Sequence, residues 1–350
     1  MLVSKNTVVR AALSTLHRTG GHRLLAPFTR GIGAVLMLHQ VSREPVKSFD
    51  PNGILRVTPK FLDGAIRLVR NEGYDIVSLD EARRRLLDPG PCKPFVSFTL
   101  DDGYSDNLRQ AYPVFAGHRV PFCVYVATSF AEGRGDLWWQ NLEAALSAGR
   151  PLTVTRDGAA RQFECGSPAQ QKQAWRQLYW WLRGIDEDRA RAIVRDLCAQ
   201  AGIDPSRSSR DFMTVNEVKT LAADPLCTIG AHTVNHYSLA KLDDARCFDE
   251  IAAGKRRLEE MLGRPMRHFS YPYGSAIDCG KREFAMAAKA EFETAVTTRK
   301  GLLFPSHRER LMQLPRLSLN GDFQDLNMLA VLLSGAPFAL LNGIRQMAPA

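Results

Sequence analysis

The strongest constraint on the fold is a regular alternation between short apolar runs and helical patterns along most of the chain. Apolar runs rich in β-branched and aromatic residues, separated by helices, are typical of parallel strands joined by crossovers. The candidate strands are Ala34–Leu38, Asp75–Leu79, Phe95–Leu100, Phe122–Ala127, Cys227–Ala231, His268–Tyr271, Thr294–Thr297 and Leu314–Leu317. About eight strands in series predict an α/β fold, and favour a (β/α) barrel over an open sheet.

The alternation lapses between residues 130 and 212, where two or three helical patterns surround a turn at Asp157 and Gly158 that is typical of a hairpin. All five tryptophans fall in this stretch. We therefore predict three parts. These are a basic N-terminal segment (1–33), a central domain (34–322) that contains a largely helical insertion (130–212), and an apolar C-terminal segment (323–350).

The two ends of the chain differ from the rest in composition. The first 40 residues contain no Asp or Glu, and their basic residues are Lys5, Arg10, Arg18, Arg23 and Arg30. Such a segment can lie on an acidic membrane face, contact an acidic glycan, or stay solvated without a partner. A nucleic-acid partner is disfavoured because no known binding module accompanies the charge.

Leu326–Ile344 is apolar but interrupted by polar residues, glycines and a proline. It therefore predicts a core helix and a loop, with a peripheral membrane contact as the alternative. The seven cysteines are scattered and form no Cys-x-x-Cys pair, which argues against a disulfide framework. Polar residues interrupt the first ten positions, unlike a signal peptide, so we expect a cytoplasmic protein, with contact to the inner membrane as an option. The oligomeric state stays open.

Polar side chains follow several of the candidate strands at the point where each strand ends. Asp101 and Asp102 follow the run that ends at Leu100, and His232 follows the run that ends at Ala231. The carboxyl ends of barrel strands lie at one face, where barrel enzymes place their chemistry. We therefore expect these side chains to lie close together.

Each of the two patterns is weak by itself. His232 and His236 are four residues apart and can share a metal ion, but histidines at this spacing are more often structural. An Asp after a strand is often an N-cap. Adjacent side chains such as Asp101 and Asp102 point in different directions, so one can bind a metal while the other faces a substrate. The two patterns together favour a combined site.

The motifs Thr99–Gly103 (TLDDG) and His232–His236 (HTVNH) resemble the two signature motifs of the polysaccharide deacetylases, the NodB-homology carbohydrate esterases. The resemblance extends from His39 to about Arg316. It implies the distorted (β/α) barrel of that family and a hydrolase that removes the N-acetyl group from an N-acetylhexosamine unit, with release of acetate. The glycan substrate would be a polymer, an oligosaccharide or a lipid-linked precursor.

The resemblance also implies roles for the motif residues. Asp102, His232 and His236 would bind one divalent metal, usually zinc, with cobalt, nickel or manganese as alternatives, and Asp101 would act as general base. Three protein ligands are typical of catalytic zinc, because the fourth position stays open for water or substrate.

The stretch Phe269–Gly274 resembles a third family motif, in which the backbone N–H after Pro272, that of Tyr273, helps to hold the oxyanion. Without the other motifs it would predict only a proline-containing turn. Many family members have an arginine before this proline, whereas this chain has Ser270 and Tyr271. Arg316, in a later strand, is a candidate replacement, and a surface arginine is the alternative.

The histidine that protonates the leaving amine in many members has no counterpart near the C-terminus. His39 directly follows the first strand and resembles the N-terminal histidine of a circularly permuted subgroup that includes poly-N-acetylglucosamine deacetylases. The alternative is a partly buried structural histidine. Trp138 and Trp139 are candidates for a wall that stacks on a sugar ring, although such aromatics more often belong to a core.

Two other functions remain open at this point. The same metal site can serve a hydrolase of another non-peptide C–N bond, a deformylase or cyclic amidase, because fold and metal do not fix the substrate. A non-catalytic glycan-binding protein is the second alternative, and the missing motif arginine is its main support. The presence of Asp101 beside a complete ligand set argues against it.

Overall fold

A computed structural model describes residues 5–88, 90 and 93–340. Its strands are β1 (Gly33–Leu38), β2 (Gln40–Val41), β3 (Arg56–Val57), β4 (Asp75–Ile76), β5 (Phe95–Leu100), β6 (Phe122–Val126), β7 (Leu152–Arg156), β8 (Ala159–Phe163), β9 (Cys227–Ala231), β10 (His268–Ser270), β11 (Thr294–Lys300) and β12 (Leu314–Ser318). Its α-helices are α1 (Lys5–Arg18), α2 (Gly21–Thr29), α3 (Pro59–Asn71), α4 (Leu79–Leu87), α5 (Tyr112–His118), α6 (Thr128–Ala131), α7 (Trp138–Ser147), α8 (Pro168–Gly184), α9 (Glu187–Ala201), α10 (Val215–Ala222), α11 (Asp244–Leu262), α12 (Lys281–Lys289) and α13 (Leu326–Leu333).

The parallel strands close into a barrel, as the alternation predicts. The ring runs β1, β12, β11, β10, β9, β6 and β5, and β5 pairs again with β1. The ring has seven strands rather than eight because β4 pairs only with the first two residues of β5. The predicted strand Asp75–Leu79 stops at Ile76, since the Ser78 side chain accepts the Glu81 backbone N–H and thereby begins α4.

Barrel strands with a packed interior and an outer helix layer are buried on both faces, which explains their unbroken apolar runs. Every residue of β1, β5 and β6 is buried. On the outer side, the rings of Phe115 and Phe122 stack at 4.4 Å between centroids, and Phe98 meets Phe115 edge to face at 5.6 Å. The core therefore continues from the barrel wall into the helix layer.

The region predicted as an insertion contains α7, α8, α9 and the antiparallel hairpin β7–β8, whose turn is at Asp157 and Gly158. It has an apolar cluster of its own, to which Leu142, Leu178 and Val194 contribute from the three helices. Tyr104 and Phe212 join this cluster, and their rings stack at 4.5 Å. A second core therefore lies beside the barrel's own.

Both terminal segments pack against one another on the outside of the barrel. Leu13 of α1 forms a small apolar cluster with Met328 and Val331 of α13. Among the described helices, none is both long and apolar enough to cross a bilayer. Residues 1–4 and 341–350, which belong to the predicted terminal segments, and Cys92 lie outside the described residues.

Candidate active site

Three predicted metal ligands lie together at the carboxyl ends of the barrel strands. Asp102 follows β5, and His232 and His236 lie in the loop after β9. Asp102 Oδ1 is 3.2 Å from Nε2 of His232 and 3.2 Å from Nε2 of His236. All three side chains are buried, and one ligand atom from each lies within 4.8 Å of the others.

Hydrogen bonding around this cluster indicates that it can hold a cation. His232 Nδ1 lies 2.6 Å from the backbone oxygen of Ser270, which can only accept, so Nδ1 carries the proton. In the neutral ring, Nε2 then has a free lone pair, and it faces an Asp102 oxygen that has no hydrogen-bond donor among the described residues. Two lone pairs directed at each other in a buried site are stabilised by a positive ion between them. Imidazole nitrogens with a carboxylate oxygen suit zinc and similar divalent metals.

Electrostatics keeps the cluster in a form that can coordinate. Burial raises the pKa of Asp102, but the two imidazoles in their protonated form, His236 and His232, lower it by more, so this pKa lies well below its usual value and the carboxyl is ionised before either histidine loses its proton. Burial lowers the pKa of His236, and Asp102 offsets this only in part. An ionised carboxylate beside a neutral imidazole is the state that a metal ligand needs.

The backbone that carries these side chains is strained. Of the seven described non-glycine residues with positive φ, four lie at this site: Asp102 (75°), Thr233 (64°), His236 (56°) and Tyr273 (59°). A positive φ is uncommon for a residue with a Cβ atom, and such outliers concentrate at functional sites. The three loops therefore adopt unfavourable turns that the surrounding packing has to maintain.

Glu250 of α11 fixes the loop between His232 and His236, here called the histidine loop, by hydrogen bonds to its backbone. Its buried carboxylate accepts the backbone N–H groups of Val234 at 3.1 Å and Asn235 at 2.8 Å, and the Asn235 side-chain amide at 2.6 Å. Gly254 lets the same helix approach closely, because a Cβ atom there would lie 2.7 Å from the Thr233 carbonyl carbon. The loop is thus fixed on one side by charge-assisted hydrogen bonds and close backbone packing.

Asp101, the predicted base, forms a buried two-point ion pair with Arg316 of β12. The guanidinium donates to both carboxylate oxygens, at 2.7 and 2.6 Å, and Arg316 is 0% exposed. Arg316 also donates to Thr99 Oγ1, Ser270 Oγ and the Thr297 carbonyl oxygen. Burial raises the pKa of Asp101, but the charge and hydrogen bonds of Arg316 lower it by more, so the carboxyl stays ionised.

The position of Arg316 bears on the missing motif arginine. Ser270, which stands before Tyr271 and Pro272, contributes only a hydroxyl to this network, 3.3 Å from Asp101 Oδ2. The positive charge instead comes from β12, which is separated from β5 by β1 in the ring. The alternative of a surface arginine does not fit, because the whole side chain is buried.

His39 lies beside Asp101 at the end of the neighbouring strand. Strands β1 and β5 pair in parallel, and the Asp101 N–H donates to the Leu38 carbonyl oxygen at 2.9 Å. Asn107 fixes the next peptide, since its side-chain amide donates to the His39 carbonyl oxygen at 2.8 Å. The register of β1 and β5 therefore places His39 beside Asp101 at this edge of the barrel.

Tyr273 is held at the site by contacts with the region predicted as the insertion. Its hydroxyl accepts the indole N–H of Trp138 at 2.9 Å, and its ring centre lies 4.8 Å from that of His236. The guanidinium of Arg183, from α8, stacks on the Tyr273 ring at 3.7 Å from the centroid. The turn after Pro272 is closed by the Gly274 N–H, which donates to the Pro272 carbonyl oxygen at 2.6 Å.

Trp138 and Trp139, the candidate sugar-stacking residues, are both buried in the second core. The Trp139 ring lies 4.9 Å from the His236 imidazole, and the two indoles meet edge to face at 6.1 Å. Their ring surfaces are therefore in contact with protein, where they support the histidine loop and Tyr273.

Several supporting residues were missed by the reasoning from sequence. Glu250, Arg183 and Asn107 position other site residues, yet only Asn107 lies near a motif, shortly after Gly103. Glu250 and Arg183 lie inside ordinary helices, where acidic and basic residues are usually solvated. No signal in a single sequence distinguishes them.

Comparison with known proteins supports the family resemblance. Residues 199–293 match a family model described as polysaccharide deacetylase, a stretch that includes His232, His236 and the turn at Tyr273. YxkH of Bacillus subtilis (strain 168), whose name provisionally assigns it to the polysaccharide deacetylases, is 29% identical over 93 residues. This match spans 26% of the chain and only 30% of that relative. The resemblance stated from the motifs is confirmed.

Solved structures share the fold over most of the chain. The Streptococcus pyogenes deacetylase PplD, solved in complex with acetate, covers 85% of this chain and 97% of its own, at 18% identity and a TM-score of 0.57. IcaB from Ammonifex degensii matches 87% of this chain with 97% of its own, at 19% identity and a TM-score of 0.53. A de-N-acetylase from Aggregatibacter actinomycetemcomitans matches 85% of this chain with 99% of its own, at 12% identity and a TM-score of 0.56. At these identities the similarity establishes the fold.

We expect Arg316→Met to lower the free energy of unfolding by about 3–5 kcal/mol, because it leaves the Asp101 charge buried without a partner. If the two residues are coupled, the loss of unfolding free energy in the double variant Arg316→Met/Asp101→Asn should be smaller than the sum of the two single losses, by at least about 1 kcal/mol. Urea unfolding measures all three. Arg67→Met, which breaks an exposed pair with Asp63, is the control and should cost less than about 1 kcal/mol. Additive losses would show that the pair is not coupled.

We expect Glu250→Gln to weaken binding of zinc by about 10–100-fold, because the histidine loop loses its charged acceptor. Competition with a chromophoric chelator measures the affinity without any need for substrate. Glu260→Gln, on the exposed side of the same helix, is the matched control and should leave the affinity unchanged. Equal affinities for both variants would refute a positioning role for Glu250.

Proposed function

We propose that this chain, a member of the polysaccharide deacetylase family, hydrolyses the N-acetyl group of an N-acetylhexosamine unit in a poly- or oligosaccharide and releases acetate. The single observation that carries the proposal is the two-point contact between Asp101 and Arg316 beside the buried cluster of Asp102, His232 and His236. The named deacetylases with the same fold support the reaction class.

Asp102, His232 and His236 are the residues that would hold a divalent metal, with zinc as the favoured ion. When bound there, the ion would supply Lewis acidity that makes a water more acidic and polarises the acetamide carbonyl. The protein itself supplies an ionised carboxylate at Asp102 and fixes the orientation of the His232 ring through the hydrogen bond to the Ser270 carbonyl oxygen.

Asp101 would take the proton from the attacking water. A general base has to present a free carboxylate lone pair in a fixed direction. The two hydrogen bonds from Arg316 fix the plane of the carboxylate, and its low pKa keeps it ionised. As water adds to the carbonyl carbon, negative charge develops on the amide oxygen, and the backbone N–H of Tyr273 would donate to it.

His39 would complete the reaction by donating a proton to the amide nitrogen. An amine anion is a poor leaving group, so cleavage of the C–N bond requires this proton. The products are acetate and a free amine on the sugar. The pairing of β1 with β5 and the hydrogen bond from Asn107 fix the His39 backbone beside Asp101, so we expect base and acid to act on neighbouring atoms of one acetamide.

Arg316 also bears on the choice between an enzyme and a glycan-binding protein. The main support for the binding protein is the absence of an arginine before Pro272. An arginine from β12 nevertheless forms the two-point contact with Asp101. A buried base that is paired and oriented in this way has no evident use in a protein that only binds sugar, so we favour catalysis.

The first test is acetate release from N-acetylated chito-oligosaccharides by the zinc-loaded protein, with and without a chelator. We expect chelator-sensitive release, and we expect Asp101→Asn to reduce it by about 10²–10⁴-fold while the zinc content stays the same. Asp63→Asn, an exposed change, should have no effect. Full activity of Asp101→Asn would remove the assigned base, and zinc-loaded protein that releases acetate from no glycan would overturn the proposed function.

A second test separates the acid from the base. His39→Gln should slow hydrolysis of the sugar acetamide by about 10²–10⁴-fold, because the amine then leaves without a proton. Nitrophenyl acetate, whose leaving group needs no proton, should be hydrolysed within about tenfold of the normal rate by the same variant. Asp101→Asn should impair both substrates. Equal losses of both activities in His39→Gln would contradict the acid role.

A further inference from the structure

Helix α2 presents two large apolar side chains to solvent. Leu24 and Phe28 are 76% and 85% exposed, and one helical turn separates them, so they lie on the same face. The helix itself is firmly attached. His22 is buried, with Nδ1 3.0 Å from the Leu16 carbonyl oxygen, and the Thr29 hydroxyl donates to the Ser334 carbonyl oxygen at 2.6 Å. The exposure is therefore a property of a docked helix.

The sequence on both sides of this apolar pair is basic. Arg23 is exposed on α2, Arg30 directly follows it, and the first 40 residues contain no Asp or Glu. Cations beside exposed apolar side chains are typical of helices that lie in the interface of an anionic bilayer. We call Arg23, Leu24, Phe28 and Arg30 the α2 patch.

A second segment extends the α2 patch. The Ile32 N–H donates to the Leu303 carbonyl oxygen at 2.8 Å, so the loop after β11 lies beside the end of α2. Phe304 in this loop is 39% exposed, and the exposed residues Arg308 and Arg310 follow it, with Glu309 as the only acidic residue between Gly301 and Leu314. Apolar and basic side chains are thus combined in both segments.

We propose that the α2 patch and the Phe304 loop dock this protein on an anionic membrane surface. The apolar side chains would enter the headgroup region while the arginines contact acidic lipid headgroups. A second copy of this chain is a poorer occupant, because a symmetric contact would bring two basic patches together. Leu24 and Phe28 also have no counterpart in an acidic glycan. This inference does not depend on the proposed function.

The fold fixes how a docked molecule is oriented. The carboxyl end of α2 and the Phe304 loop lie beside Gly33, where β1 begins, whereas Asp102 and His232 follow the carboxyl ends of their strands. A six-residue strand is about 20 Å long, at roughly 3.3 Å per residue. Docking therefore leaves the metal cluster at the end of the barrel that faces the aqueous phase. If the proposed function also holds, sugar units well away from a lipid anchor are the ones that this site reaches.

Flotation with vesicles tests the proposal on the full-length protein. We expect it to float with vesicles of phosphatidylcholine and phosphatidylglycerol but not with phosphatidylcholine alone, and less at about 0.5 M than at about 0.1 M salt. Leu24→Ser/Phe28→Ser and Arg23→Glu/Arg30→Glu should each reduce partition into the anionic vesicles by about tenfold or more. Arg176→Glu/Trp180→Ser changes an exposed basic and aromatic pair on α8 and should bind normally.

Thermal unfolding and acetate release in solution verify that each variant is folded, and both should match the unmodified protein because no changed residue belongs to the site. The proposal is overturned if the protein does not float with anionic vesicles, or if the α2 variants bind to these vesicles as well as the α8 control does. Analytical ultracentrifugation tests the alternative that a second copy of this chain binds to the α2 patch. A dimer that Leu24→Ser/Phe28→Ser converts to a monomer would assign the patch to a second copy.

Discussion

The buried ion pair between Asp101 and Arg316 is the interaction on which the rest of this site depends. The two residues come from β5 and β12, which meet only because the ring closes through β1. Both side chains are buried, and either charge alone would be costly there, so each charge needs the partner that the closed barrel supplies. Barrel closure and the orientation of the candidate base are therefore the same structural event.

Around this pair, unfavourable local features are offset by a well-packed surrounding. Four loop residues adopt positive φ, and the cluster of Asp102, His232 and His236 places electron-rich atoms face to face. Glu250 fixes the histidine loop from α11, and Ser270 fixes one imidazole through its carbonyl oxygen. A cation between these atoms would offset the repulsion, which agrees with a site prepared for a metal.

The helices between β6 and β9 contribute to the site as well as to their own core. Trp138 contacts the Tyr273 hydroxyl, Trp139 packs against His236, and Arg183 stacks on Tyr273. Residues from this region thus cover one side of the strand ends, while the carboxyl end of α2 and the Phe304 loop lie beside the start of β1. If both proposals hold, one molecule could bind to a bilayer at one end of the barrel while its active site at the other end stays open to a long sugar chain.

From the sequence alone, apolar runs that alternate with helical patterns indicated parallel strands surrounded by helices, and the number of runs in series favoured a barrel. The sequence also predicted where Asp101, Asp102, His232 and His236 lie, since a motif that follows a strand is placed by that strand. It did not determine that the ring closes with seven strands, because the Ser78 cap that shortens β4 competes locally with strand pairing. Only the tertiary structure brought Arg316 to Asp101, Glu250 to the histidine loop and Arg183 to Tyr273. These contacts join residues far apart in the chain, and their geometry depends on how the ring closes and how helices pack on it, which no local pattern encodes.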